Sequence, residues 1–161
     1  MLVEFKAATT HFLEWNLERI VRCLNELSEE QVWARPNENS NSVGNQVLHL
    51  CGNLKQWIIS GVGGAPDTRT RDAEFAARGG ADKALLASML TTVIQESVEV
   101  IDSLQDASEL THERNVQVYT HDGIFILVHA TEHLSYHCGQ IIFQTKALLD
   151  VDLDFYGGDG L

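Results

Sequence analysis

Apolar positions recur at steps of three and four over four long stretches of the chain, the period of one helix face. In the first, from about Val3 to Leu27, Phe5, Thr9, Phe12, Asn16, Ile20, Cys23 and Leu27 share a side; Ser28-Glu29-Glu30 and Pro36-Asn37 then break the pattern. The second starts at Ser42, a good N-cap, and runs to about Ser60 with Val43, Val47, Leu50, Leu54, Trp57 and Ile58 on one stripe. Gly61, Gly63, Gly64 and Pro66 stop it. The third is capped by Asp82 and reaches about Leu104 through Leu86, Met89, Val93, Ser97 and Val100. The fourth starts near His121-Asp122 and runs through Ile124–Leu149.

Two connections are long. Residues 61–81, rich in Gly and Arg, exceed the usual loop between packed helices and suit a lid or a short helix over Asp72 to Arg78. Residues 105–121 are polar, and Asn115 to Thr120 alternates weakly, as extended chain does. Four long amphipathic helices with almost no strand predict an all-α, four-helix-bundle fold in a single domain over residues 1–161, with the long connection between the second and third helices.

Composition narrows the function classes. Hydrophobic residues at 44% and charged residues at 21% are ordinary for a globular domain. A net charge of −12 repels phosphate backbones and anionic headgroups, so neither nucleic acid nor membrane is expected as a partner. The N-terminus shows no basic region followed by an apolar one, and no apolar run approaches the ~20 residues that span a bilayer. Cys23, Cys51 and Cys138 are odd in number and have no CxxC spacing, which suits buried thiols in a cytoplasmic protein.

The stretch HATEHLSYHCGQ carries the chemistry. His129, His133 and His137 are spaced by four, one helical turn apart on one side, and border the apolar positions Leu127, Leu134 and Ile141. Imidazoles there need partners, and a divalent metal takes two ligands at i, i+4. A third ligand has to come from another helix, and His49 is the candidate. It lies off the Val47/Leu50/Leu54 stripe, among Asn45, Asn53 and Gln56, on a strip that is either a polar cavity or, by pattern, solvent-facing. His129-Ala-Thr-Glu132-His133 also fits the inverted zinc-protease motif, but that class needs an acidic ligand well downstream. The tail Asp150-x-Asp152-x-Asp154 starts like a calcium loop, yet has Phe155 at its sixth position and Leu161 at its twelfth, so a calcium hand is rejected.

RPNENSNSVGNQVLHLCGNLKQWI, the middle segment GGAPDTRTRDAEF and HATEHLSYHCGQI, taken in that order, resemble the DinB/YfiT-like metalloenzyme superfamily. The resemblance covers nearly the whole chain. It implies a four-helix bundle with an open divalent-metal site of three histidines, carried here onto His49, His133 and His137, with zinc or nickel as the favoured ion. It also implies a homodimer, with which the large apolar residues Trp33 and Phe155-Tyr156 near helix ends are consistent. The superfamily includes thiol-dependent S-transferases and a thiol-dependent isomerase. The expected function is therefore metal-dependent catalysis with a low-molecular-weight thiol; a metal-dependent hydrolase and a non-catalytic metal-binding bundle are the alternatives.

Several residues keep two readings at this stage. His129 is either a capped or exposed side chain, which is the expectation, or a group that supports the metal ligands or faces substrate. Glu132 either orients a ligand or is exposed. Asn16 and Thr9 are either internally bonded or line a polar pocket beside the metal. Arg69 and Arg71 either hold an anionic thiol or are surface charges paired with Asp67 and Asp72, as expected. Metal affinity is expected to fall as pH drops through about 6.5, where free imidazole protonates.

Overall fold

The structure, a computed structural model, describes residues 1–157. Leu161, the twelfth position of the rejected calcium loop, lies outside them. Helix α1 spans Leu2–Glu26, and α2, Glu29–Trp33, follows at once. The sequence reads only a break there, but Ser28 and Gln31 form a capping box that starts the short helix. Ser42 and Asn45 make a second capping box at the head of α3, Val43–Leu54. That helix continues as a π-helical segment, Lys55–Ser60. The connection carries α4, Arg71–Ala76, close to the short helix expected from Asp72 to Arg78.

Asp82 caps α5, Lys83–Ser103, by accepting from the Leu85 N–H. After α6, Ser108–Thr111, strands β1 (Glu113–Val116) and β2 (Tyr119–Asp122) pair antiparallel with Val116 opposite Tyr119. The weak alternation in NVQVYT is thus a hairpin, and its turn has Gln117 in the left-handed region at φ 59°. No Asn-Gly or Asp-Gly marks that turn, so the sequence does not announce it. Asp122 caps α7, Gly123–Leu149, which ends on Asp150 in the left-handed conformation.

The protein is mostly helical. Helix α1 packs against α5 and α7, and α3 packs against the same two. Between them lie Leu13, Ile20, Leu24, Val47, Leu50, Leu54, Leu86, Leu90, Ile94, Leu127, Leu134 and Ile141, all buried. Each such side chain contributes roughly 1.5–3 kcal/mol of transfer free energy. The seam of α1 differs from the expected one: Phe12 is 45% exposed and Leu13 takes its place inside. Thr9 and Asn16, buried on that seam, donate back to the carbonyls of Phe5 and Phe12, and Asn16 also donates to Ser135 Oγ on α7 at 3.0 Å. They are internally bonded.

A second correction concerns α5. An 18-residue stretch within its 21 residues has a mean hydropathy of 1.4, so the helix is long and apolar enough to cross a bilayer. Its Leu86, Leu90, Val93, Ile94 and Ile101 are instead buried where it packs against α1 and α3.

Candidate metal centre

Helix α3 carries a polar row through the interior. Gln46, His49, Asn53 and Gln56 follow at steps of three and four, and all are buried. This strip, expected to meet solvent, is covered by α4 and its connection and by α7. The fold brings His49 of α3 to His133 and His137 of α7, and one ligand atom from each lies within 4.8 Å of the others. His49 Nε2 is 2.9 Å from His133 Nε2, and the three rings meet edge-on with centroids 4.7 to 5.0 Å apart.

What the sequence did not indicate is the shell that aims these rings. Glu74, on α4, places Oε2 2.9 Å from His49 Nδ1. Arg69 grips the same carboxylate with both arms, Nε to Oε1 at 2.8 Å and Nη2 to Oε2 at 2.9 Å. The Arg69 and Glu74 side chains are only 4% and 9% exposed. Arg69 Nη1 also donates to Gln56 Oε1 at 2.9 Å, and Gln56 Nε2 donates to Asp67 Oδ2 at 2.6 Å. Neither earlier reading of Arg69 holds: it neither faces solvent nor stands free for an anionic ligand, because Glu74 occupies it. Arg71 lies 4.8 Å above the Phe75 ring, and Phe75 packs on His49 with centroids 4.8 Å apart.

These contacts select tautomers. Burial opposes the charge on Glu74, but hydrogen bonds from Arg69 and His49 outweigh it and keep the carboxyl below its usual range. Arg69 Nη2 also lies 3.1 Å from His49 Nδ1 but is engaged by Glu74 Oε2 at 2.9 Å, so a proton on Nδ1 lets His49 donate to the ionised Glu74 and leaves His49 Nε2 as a lone pair aimed at α7. On the other side, Gln46 Nε2 donates to Gln144 Oε1 at 3.0 Å, so Gln46 turns its oxygen toward His137 Nδ1, 3.5 Å away. That contact favours a proton on Nδ1 and a free Nε2. Burial, then the neighbouring His137 and His49, pushes His133 down to about 3; burial, then His49, pushes His137 down to about 4. Both are therefore neutral donors far below pH 6.5, and the acid limit for metal binding expected from free imidazole shifts downward for these two ligands.

The donor set fits a borderline divalent ion. Metal–nitrogen bonds of about 2.0–2.1 Å at near-tetrahedral angles put donors roughly 3.3 Å apart. The 2.9 Å pair is near that spacing, and the third donor lies within 4.8 Å of both. The donors are three neutral nitrogens.

The remaining candidates fall outside the cluster. His129 is half-buried against Trp57, with ring centroids 4.2 Å apart, and 5.7 Å from the His133 ring. It is neither a capped nor a solvated histidine, and desolvation lowers its pKa. Glu132 is exposed, so nothing supports the inverted-protease reading. Cys23, Cys51 and Cys138 are all buried and free, and burial pushes the last two up to about 12.

Comparison with known proteins adds the family. The model of a family of proteins of unknown function, DUF1572, matches residues 5–155. The chain belongs to this family. Its fold is DinB-like: a DinB-like protein from Bacillus subtilis is similar with a TM-score of 0.70 at 17% identity, over 92% of this chain and 97% of that one. A DinB-like protein from Bacillus cereus ATCC 10987 gives 0.67 at 18%, over 85% and 90%. A conserved protein from Enterococcus faecalis gives 0.77 at 15%, over 90% and 97%. No curated protein matches the chain.

Proposed function

We propose that this chain is a four-helix-bundle metalloenzyme that binds one divalent ion, zinc or nickel, through His49, His133 and His137 and acts on a small-molecule substrate. The observation that carries the reading is the convergence of three histidine donors from two helices within 4.8 Å, two of them backed by side chains that favour the ligating tautomer. A bound divalent ion would supply Lewis acidity, polarising a substrate and favouring the anionic form of an external thiol or water.

The chain's own groups do the rest. Glu74 holds the Nδ1 proton of His49, Arg69 holds Glu74, and Phe75 closes the far side of the ring. Thiol-dependent S-transfer is the reaction class implied by the resemblance. The protein's three thiols are buried, and Cys51 and Cys138 titrate near 12, so a reacting thiol has to come from outside. We also read the chain as a homodimer, with Phe125, Val128 and Tyr136 as exposed apolar surface along α7.

The test is elemental analysis of the natively purified protein, followed by a screen of low-molecular-weight thiols with electrophilic substrates. Near one metal per chain, with metal-dependent thiol consumption, is the expected result. Stoichiometric metal with metal-dependent hydrolysis and no thiol dependence would replace the transferase reading by the hydrolase; failure to bind zinc or nickel would overturn the metalloenzyme reading.

A further inference from the structure

A cleft of about 550 Å³ opens between the segment after α2 and the last turns of α7, a volume that suits a small ligand. Its lining has two characters. Phe143 and Leu148 of α7 offer apolar surface, 75% and 42% exposed. Arg35, Asn39, Gln46 and Gln144 supply polar groups.

Arg35 is the unusual member. Its Nη2 donates to Asn45 Oδ1 at 2.9 Å and to the Phe75 carbonyl at 2.6 Å. Among the described residues its Nη1 has no partner, its buried Nε has none either, and no carboxylate forms an ion pair with it. The chain has 23 acidic residues against 11 basic ones, yet among the described residues this half-buried guanidinium is the one charged group lining the cleft, beside neutral amides; Glu38 and Arg78 share a neighbouring pocket with it, and Glu38 forms no ion pair with it. With Nη2 engaged and Nε shielded, Nη1 is the group left to give a carboxylate oxygen a charge-assisted hydrogen bond. As the one cation lining this cleft among the described residues, Arg35 balances one negative charge there.

We infer that this cleft binds a small monocarboxylate with an apolar arm, the carboxylate on Arg35 and the arm against Phe143 and Leu148. The inference holds with or without a metal at the histidines. Gln46 joins the two places, since it lines the cleft and also contacts His137. An occupant therefore touches the amide that orients a histidine of the cluster.

The probe is 3-phenylpropionate, compared with 3-phenylpropionamide, titrated into the full chain and followed by NMR at the Phe143 ring and the Gln46 and Gln144 side-chain amides. The acid should give saturable shifts at these groups, in metal-loaded and metal-free protein alike. The amide should bind at least about tenfold more weakly, as expected for loss of a charge-assisted hydrogen bond. Phe143→Ala, at an exposed position, and Arg35→Lys, which keeps the charge but loses Nη1 and the Nη2 bonds that place it, should each weaken binding several-fold. Equal binding of acid and amide, absence of saturable shifts at these groups, or wild-type affinity in Phe143→Ala would overturn the inference. If Arg35→Lys fails to fold, the acid–amide comparison and Phe143→Ala decide.

Discussion

At the scale of single residues, two histidines were readable and their support was not. His133 and His137 announce themselves by i, i+4 spacing on an apolar helix, whereas His49 needed the family resemblance, because its own periodicity pointed to solvent. Glu74 had no signal: it meets His49 across 25 residues of sequence, and no local spacing encodes that contact. Glu74→Gln is expected to keep the shape and lose the charge that fixes the His49 tautomer, weakening metal binding about 10–100-fold in a chelator competition. Wild-type affinity in that variant would show that Glu74 serves only Arg69. A pH prediction follows from the lowered histidines. In the metal-free protein His133 and His137 titrate near 3 and 4, against about 6.5 when unfolded. Between those values the unfolded chain binds more protons, so their contribution to stability is complete above pH 6.5 and is lost as pH falls toward 4 and 3. Denaturant midpoints of the metal-free protein between pH 7 and 5 should therefore fall more steeply than those of the His133→Asn/His137→Asn double variant. Parallel curves would contradict the buried, neutral state of the pair.

At the scale of elements, the four long helices were legible to within a few residues, because each carries a continuous stripe and three of them a capping side chain: Ser42, Asp82 and Asp122 cap α3, α5 and α7, while α1 has no side-chain cap. Short elements were not. The hairpin lacks turn residues, and α2 has a single buried apolar side chain, Val32. The connection 61–81 could be marked as unusual, but not as the cover of the polar strip. Its close approach depends on Gly52: a Cβ there would lie 2.0 Å from Glu74 Oε1 and 2.9 Å from Arg69 Nε. Gly52→Ala should therefore push the Arg69–Glu74 pair off α3, lowering both thermal stability and metal affinity while helix content stays unchanged. An unchanged melting temperature and metal affinity would show that the connection shifts without cost.

At the scale of the whole molecule, helices α1 and α5 supply core while α3 and α7 supply chemistry, and the connection after α3 locks one histidine from outside. The same division explains why the class of fold was visible and the inner shell was not: burial of stripes is local in sequence, whereas the His49–Glu74–Arg69 array forms only once α4 lies on α3. Association is tested at this scale too: sedimentation at micromolar concentration should give a dimer mass, and a clean monomer would remove the homodimer from the account. The central claim is a single ion held across α3 and α7. Along α7, His129 is about 12 Å from His137 at roughly 1.5 Å per residue, too far for one ion to bind both. Metal content of purified His137→Ala and His129→Ala tests the claim most directly. The account predicts loss of the ion in His137→Ala and near-stoichiometric metal in His129→Ala; metal retained in His137→Ala and lost in His129→Ala would contradict it.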